Sequence, residues 1–195
     1  MLSARLILVR HGQSTHNAQA RLQGQSDPEL SETGRAEAQL LRSRFTDFPP
    51  EWVITSDLRR ASETAAIIGF PEARRDARFR EIDVGSWAGR PLSDFPDEAQ
   101  SAWRGGDLHA PDGESWADLQ GRVGGALDEL LAVGHSWVVV CHGGVVRAAL
   151  SHITDADPRH VAGPANASVT IIRGGEHPRL EAYAWTPDGV TLSER

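Results

Sequence analysis

The chain has 195 residues, of which 39 % are hydrophobic and 24 % are charged, proportions that are ordinary for a globular protein. This length can bury a core of its own, so we expect a single domain over residues 1–195. The net charge of −7 argues against general nucleic-acid binding. No apolar run approaches the roughly 18 residues that cross a bilayer, and the N-terminus lacks a signal-peptide pattern. We therefore expect a cytoplasmic protein without membrane contact.

The cationic side chains are unusual, because all 20 of them are arginine and the sequence contains no lysine. This excludes a Walker-type phosphate loop, a Schiff-base lysine and a kinase-type lysine. The one cysteine, Cys141, excludes an intrachain disulfide and a cysteine-based metal cluster. A chain with this acidic balance must concentrate its arginines locally if it binds an anion.

The first third of the chain alternates between strand and helix patterns. Short apolar runs predict buried strands, and apolar residues at helical spacing behind a capping serine, Ser31, predict a helix. The predicted elements are strands at Arg5–Val9 and Trp52–Thr55 and helices at about 32–45 and 58–68.

The remainder begins with a segment rich in proline, glycine and charge, from Phe70 to Gly113, which predicts an elaborated loop with short helices. Regular patterns then resume. They predict a long helix behind Ser115, a buried strand at Ser136–Cys141, a helix from Gly143 to Ser151, and strands at Val169–Arg173 and Leu180–Trp185.

Strands that alternate with helices predict an α/β fold, a three-layer sandwich with a mainly parallel open sheet and helices on both faces. The last two strands lie close enough in sequence to form a hairpin, so we expect one antiparallel edge strand.

Three predicted strands are followed by residues suited to phosphate. They end in Arg10-His11-Gly12, in Ser56-Asp57-Leu58-Arg59-Arg60 and in Cys141-His142-Gly143-Gly144. Parallel strands place these ends at one edge of the sheet, where open α/β sheets bind ligands. Arginine offers a planar fork to phosphate oxygens, and histidine serves as a nucleophile or proton carrier near neutral pH. The pattern predicts an anion site with two histidines and up to three arginines.

These motifs, in this order and at this spacing, resemble the histidine phosphatase superfamily, the phosphoglycerate mutase-like group (branch 1). The resemblance runs from about Arg5 to about Ser168, and its blocks are highly specific together although each is modest alone. The matching blocks are Arg10-His11-Gly12, Asn17, Arg21-Leu22-Gln23-Gly24, Leu30-Ser31-Glu32-Thr33-Gly34, Ser56-x-Leu58-x-Arg60-Ala61-x-x-Thr64-Ala65, Glu81 with Gly85-x-Trp87-x-Gly89, Gly113-Glu114-Ser115 and His142-Gly143-Gly144.

The resemblance implies a role for each matching residue. His11 is implied as the nucleophile that forms a phosphohistidine. Arg10, Arg60 and His142 are implied around the equatorial oxygens, where charge accumulates in phosphoryl transfer, and Asn17 is implied as a neutral donor beside them.

Glu81 is implied as the residue that protonates the leaving oxygen and then takes a proton from water. Gln23, Gly24 and Gly143 are implied as substrate- or phosphate-binding residues. No metal and no cofactor are implied, because arginines supply the positive charge.

Other residues have simpler interpretations. Arg59 reads as a solvated helix-start residue, and Trp87 and Trp103 read as packing side chains. His109 defaults to a structural or surface role, although it precedes the Gly-Glu-Ser block. Cys141 reads as a small core residue.

The reaction has two interpretations within this resemblance. Family mutases carry a long insertion with lysine and paired arginines between the glutamate and second histidine blocks, whereas residues 82–141 are compact here. We therefore favour a phosphomonoester hydrolase acting on a phosphoglycerate derivative or sugar phosphate. A phosphoglycerate mutase primed by 2,3-bisphosphoglycerate stays open as the alternative, as does an inactive phosphate-binding module. Monomer and homodimer both remain open.

Overall fold

The structure, a computed structural model, describes residues 4–47, 50, 52–105 and 109–187. Within these residues, the apolar runs of the sequence become the strands of one six-stranded sheet. The strands are β1 (Arg5–Arg10), β2 (Trp52–Thr55), β3 (Arg74–Arg75), β4 (Trp137–Cys141), β5 (Val169–Arg173) and β6 (Arg179–Trp185).

Helices connect most of these strands. The α-helices in the described part of the chain are α1 (Thr15–Ala18), α2 (Glu32–Asp47), α3 (Arg59–Ile67), α4 (Asp97–Gly105), α5 (Trp116–Val133) and α6 (Gly143–Thr154). Single turns of 3₁₀ helix lie at Ala77–Phe79, Gly85–Trp87, Leu92–Asp94 and Pro158–His160.

The sheet has the strand order β3-β2-β4-β1-β5-β6. Neighbours among the first four strands are parallel, whereas β5 runs antiparallel to both β1 and β6. The predicted three-layer α/β fold with a mainly parallel sheet is confirmed. The edge strand β6 forms the predicted hairpin with β5, and β5 itself lies one position inside the edge.

Alternation along β4 divides the core between the two faces of the sheet. Val139 and Cys141 pack with α5 and α6, while Val138 and Val140 pack with α2 and α3. All of β4 is buried, as expected for a central parallel strand covered on both sides.

The register of the parallel strands sets the position of the site. Arg10 in β1 lies opposite Cys141 in β4, and Thr55 in β2 lies opposite Val140. The residues that follow these strands therefore leave the sheet at the same edge. Helix α6 begins immediately after β4, so its N-terminus lies at this edge as well.

The segment from Phe70 to Gly113 contains short helices, as predicted, and one element that the sequence pattern does not indicate. Strand β3 consists of two exposed arginines that pair with β2. Its pairing uses backbone groups alone, so no apolar alternation marks it. Among the described helices, none combines the length and the apolar character needed to cross a membrane.

Candidate active site

Two histidines and a serine meet where three neighbouring strands end. His11 follows β1, His142 follows β4 and Ser56 follows β2. The ring centroids of the two histidines lie 5.1 Å apart in an edge-on arrangement. His142 Nε2 lies 2.9 Å from Ser56 Oγ. All three side chains are buried, so the expected convergence of the strand ends is present.

The hydrogen bonds of His11 define its tautomer. Nδ1 lies 2.6 Å from the carbonyl oxygen of Gly12, which can only accept, so Nδ1 carries the proton. Nε2 lies 3.2 Å from Arg60 Nε, which can only donate. Nε2 therefore bears a lone pair, which is the form of imidazole that acts as a nucleophile.

Arg60 is fully buried at the start of α3 and is held by a tight turn. Its Nη1 donates to Ser26 O and its Nη2 donates to Gly24 O, each at 2.8 Å. Gly24 has φ +52°, and a Cβ there would lie 2.5 Å from Val84 Cγ2. The turn therefore requires glycine, and its carbonyls fix the plane of the guanidinium beside His11.

Arg10 reaches the site from the end of β1. Its Nη1 donates to Pro164 O, and its buried Nε–H has no partner among the described residues. A Cβ at Gly143 would lie 3.5 Å from Arg10 Cζ, so Gly143 packs directly against the guanidinium. A buried donor without an acceptor is costly, and the oxygens of a bound anion would satisfy it.

Glu81 is held against the N-terminus of α6. Gly144 N donates to both carboxylate oxygens, at 3.1 and 3.2 Å, and Ile82 N donates to Oε1 at 2.9 Å. A Cβ at position 144 would collide with Glu81 Oε1, so this approach requires glycine. The implied proton carrier is thereby fixed at the same edge as the two histidines.

Asn17 and Gln23 belong to one hydrogen-bonded cluster around Ser14. Ser14 Oγ lies 2.6 Å from Gln23 Oε1, and Ser14 N donates to Asn17 Oδ1 at 3.1 Å. Asn166 Nδ2 also donates to Asn17 Oδ1, at 3.3 Å. With Oδ1 occupied in this way, the amide nitrogen of Asn17 is the group left to donate to a ligand.

A cavity of about 260 Å³ opens between these residues. Most of the residues predicted for the site line it, but Arg60, His142 and Gly143 do not; they lie behind His11 and Arg10. The lining residues are Arg10, His11, Asn17, Arg21, Leu22, Gln23, Gly24, Glu81, Ile82, Val84, Leu92, Trp103, Arg104, Trp116, Gly144 and Arg147. Within the described ranges, no group of three or more His, Cys, Asp or Glu side chains is placed to hold a metal ion.

The structure also shows where the residues without an implied catalytic role lie. Arg59 is exposed and forms ion pairs with Glu63 at 2.7 Å and Glu29 at 2.8 Å. Trp87 packs against other aromatic rings and does not line the cavity, whereas Trp103 does both. His109 is exposed and lies outside the lining.

The sequence analysis does not predict several of the residues that line the cavity. Arg147 stacks over Trp116, with its Cζ 5.1 Å from the ring centroid, and donates to Arg104 O at 2.7 Å. The single available signal for Arg147 is its position one helical turn after His142-Gly143-Gly144. Gly144, rather than Gly143, is the glycine that contacts Glu81 and lines the cavity.

Burial and neighbouring arginines set the protonation of the site. Burial, and then the charges of Arg60 and Arg10, lowers the pKa of His11 well below its usual 6.5. Burial, followed by Arg60, also lowers the pKa of His142 well below 6.5. Burial lowers the pKa of Arg60 to about 10, so this guanidinium remains charged at neutral pH. The site therefore holds neutral imidazoles beside charged arginines.

These shifts predict a loss of stability in mild acid. Between the lowered folded pKa and the unfolded pKa of about 6.5, the unfolded state binds more protons, so stability falls as the pH falls. We expect the free energy of unfolding to decrease by up to about 1.4 kcal/mol per pH unit for each of His11 and His142. Urea denaturation between about pH 7 and pH 5 measures this slope, in a range where most carboxylates stay ionised.

One variant assigns the slope. His142→Asn is expected to reduce it, because it removes one of the two buried imidazoles whose pKa burial lowers. A flat profile in the parent protein would contradict the assignment of buried neutral histidines.

Comparison with known proteins defines the class to which this fold and site belong. The family model of the histidine phosphatase superfamily (branch 1) matches residues 6–186. The chain belongs to this superfamily.

Three relatives illustrate its neighbours within the family. A glucosyl-3-phosphoglycerate phosphatase of Mycobacterium tuberculosis (strain CDC 1551 / Oshkosh) is 34 % identical over 210 aligned residues, covering 96 % of this chain and 94 % of the relative. A metal-independent phosphoserine phosphatase of Arabidopsis thaliana is 36 % identical, covering 86 % and 75 % of the two chains. A protein of Yersinia enterocolitica named probable phosphoglycerate mutase is 35 % identical, covering 78 % and 76 %.

A solved structure shares the fold over nearly its whole length. The mycobacterial glucosyl-3-phosphoglycerate phosphatase in complex with VO3 superposes with a TM-score of 0.85 at 33 % identity. The match covers 93 % of this chain and 99 % of that chain.

Proposed function

We propose that this protein is a phosphomonoester hydrolase that cleaves a small phosphorylated metabolite through a phosphohistidine on His11. One observation carries the proposal: His11 holds a neutral imidazole with its Nε2 lone pair beside two buried guanidiniums, at a cavity of about 260 Å³. A neutral nucleophile among fixed cations is what phosphoryl transfer requires, because the protein's work is to position and to stabilise charge.

In the first half-reaction, the Nε2 lone pair of His11 forms a bond to phosphorus as the bond to the leaving oxygen breaks. The leaving oxygen takes a proton from the protonated carboxyl of Glu81. Arg10 stabilises the equatorial oxygens from the cavity wall, Arg60 and His142 do so from behind His11, and Asn17 donates its amide to them. Gln23, Gly24 and Gly143 shape the phosphate site, through the Ser14 cluster, the Arg60 turn and the packing on Arg10.

In the second half-reaction, a water molecule attacks phosphorus and gives a proton to Glu81. The bond between phosphorus and nitrogen breaks, its electron pair returns to His11 Nε2, and inorganic phosphate leaves. Every proton and charge in this scheme is handled by side chains of the chain, so we propose that no metal and no cofactor take part. The metal-independent phosphatase relative supports this.

The substrate is proposed to carry a second anionic group, as a phosphoglycerate derivative does. Arg21, Arg104 and Arg147 line the cavity in addition to Arg10, and Glu81 is the one carboxylate among the described lining residues. Arg104 and Arg147 donate to neutral oxygens, those of Gln100 and of Pro158. In a chain of net charge −7, this local excess of cations favours a substrate with more than one anion.

Phosphate release from a panel of phosphomonoesters tests both the hydrolase activity and the preference for a substrate with a second anionic group. We expect hydrolysis of carboxylated phosphoesters with a lower KM than that of their uncharged counterparts. Arg104→Gln is expected to raise KM for the carboxylated ester by roughly fivefold, the upper range for an exposed ion pair, and to leave KM for an aryl phosphate unchanged.

Arg90→Gln is the control, because Arg90 is an exposed arginine of the same region that pairs with Asp94 outside the cavity lining. Equal KM values for carboxylated esters and their uncharged counterparts would contradict the proposal that the substrate carries a second anionic group. No phosphate release from any ester would remove the hydrolase activity itself.

A phosphoglycerate mutase is the second candidate, supported by the relative that bears this name. If isomerisation of phosphoglycerate is faster than hydrolysis and is stimulated by 2,3-bisphosphoglycerate, the mutase becomes the favoured function and the hydrolase the second candidate. Binding of phosphate without either reaction would indicate an inactive module. We further propose that the chain works in the cytoplasm as a single domain, as a monomer or homodimer, without a nucleic-acid or membrane partner.

A further inference from the structure

We propose that Arg122, together with Glu114, is a positioning residue that holds Glu81 in place for proton transfer. The inference rests on the proposed function, since it concerns the residue assigned there as proton carrier. Arg122 lies on α5, outside the cavity lining, and contacts Glu81 through the backbone.

The guanidinium of Arg122 is fully used in binding the segment that carries Glu81. Its Nη1 donates to the carbonyl oxygens of Arg78 and Arg80, both at 2.8 Å. Its Nη2 donates to the carbonyl oxygen of Glu81 at 3.0 Å. Its remaining two N–H groups go to Glu114, from Nε at 2.5 Å and from Nη2 at 2.8 Å. All five donors of the fork are thus engaged.

Glu114 closes the arrangement from the other side of the same segment. Its carboxylate accepts from Asp83 N at 3.2 Å, and its own backbone N donates to Asp83 O at 2.9 Å. The ion pair with Arg122 is largely buried, with 21 % and 13 % of the two side chains exposed. Residues 78–83 are therefore held by one buried ion pair that reaches the backbone on either side of Glu81.

This arrangement complements the hydrogen bonds of the Glu81 carboxylate. The carboxylate receives N–H groups from Gly144 and from its neighbour Ile82, which aim it but do not fix the chain from which it projects. Proton transfer requires heavy atoms within about 2.6–3.2 Å, and a displacement of about 1 Å can cost 10²-fold in rate. Arg122 supplies the backbone anchor that keeps the carboxylate within that range.

The test uses the purified full-length protein and two classes of substrate. Arg122→Met is expected to lower kcat for an alkyl phosphate on the order of 10²-fold, because an alkoxide leaving group needs the proton. For an aryl phosphate with an activated leaving group, kcat is expected to change by no more than about twofold, because little protonation is needed. A merely structural loss would lower both rates equally.

A double-mutant cycle with Glu81→Gln separates the possible failures. Glu81→Gln alone is expected to show the same selectivity, and adding Arg122→Met to it is expected to cause little further loss on the alkyl phosphate. If Glu81→Gln is selective but Arg122→Met lowers both substrates equally, the positioning inference is overturned and the proposed function stands. If Glu81→Gln is not selective, the acid role and the inference fall together.

Two further variants test whether a general folding defect explains the effect of Arg122→Met. Glu114→Gln keeps the bonds from Arg122 to the carbonyls and removes the buried charge, and it is expected to show the same selectivity to a smaller degree. Arg78→Met removes ion pairs with Asp76 and Glu129 from the same segment and is expected to leave the ratio of the two rates unchanged. An unchanged ratio in both Arg122→Met and Glu114→Gln would overturn the inference.

Discussion

Replacing His11 by alanine is expected to abolish phosphohistidine formation and to lower kcat for every phosphomonoester by on the order of 10⁴-fold or more. His11 lines the cavity and keeps a lone pair on Nε2, because its Nδ1 carries the proton that is donated to the carbonyl oxygen of Gly12. His142 cannot replace it, because its Nε2 faces Ser56 and its side chain does not line the cavity.

The measurement has a kinetic and a chemical part. Rapid mixing with labelled substrate and denaturation in base should trap protein-bound phosphate that is stable to alkali and labile to acid, in the parent protein and in His152→Ala but not in His11→Ala. His152→Ala is the matched control, since it removes a histidine on α6 that pairs with Asp128 away from the site. Labelled phosphate on the His11→Ala protein would show that another residue is the nucleophile.

The sequence predicts the edge of the sheet at which the site lies for a physical reason. Parallel strands with fully apolar interiors place their carboxyl ends together, so a polar motif behind each strand identifies a common crevice. Parallel pairing of the strands places these motifs together without any side-chain geometry, and in the structure the ring centroids of His11 and His142 lie 5.1 Å apart. The long helix behind Ser115 is predicted by the same kind of local signal, a capping serine and an apolar face.

Features that depend on contacts between distant segments are beyond sequence reasoning. Arg122 reaches three carbonyls more than 40 positions away, and nothing in the pattern of α5 marks it as different from an exposed helical arginine. The choice between Gly143 and Gly144 depends on which Cβ would meet Glu81, a question of side-chain placement. The sequence pattern does not predict strand β3, because its two residues are exposed and pair with β2 through backbone groups.

The two neighbouring arginines at the start of α3 show how burial assigns different roles to one residue type. Arg60 is fully buried and bonds the turn at Gly24 and Ser26, whereas Arg59 is exposed and pairs with carboxylates. Sequence proximity alone gives both the same chance of reaching an anion. The position of Arg60 on the inner side of the helix makes it the one that contacts His11.

Arg60→Lys is therefore expected to lower kcat by roughly 10²–10³-fold, the usual cost of losing one preorganised donor to the transition state. A lysine carries a single nitrogen, which cannot reach Gly24 O, Ser26 O and His11 Nε2 together as the planar fork does. At least one buried carbonyl then loses its donor, at a cost of about 1–3 kcal/mol in the free energy of unfolding.

Arg59→Lys is the matched control, because it makes the same change one residue earlier on the same helix. Its ion pairs with Glu29 and Glu63 are exposed and tolerate an ammonium, so kcat and the free energy of unfolding are expected to change little. Steady-state kinetics and urea denaturation of the two variants give the comparison. Equal losses of kcat and of stability in both variants would contradict the different roles of the two arginines. A loss confined to Arg60→Lys would support a phosphate site that depends on the buried guanidinium of Arg60.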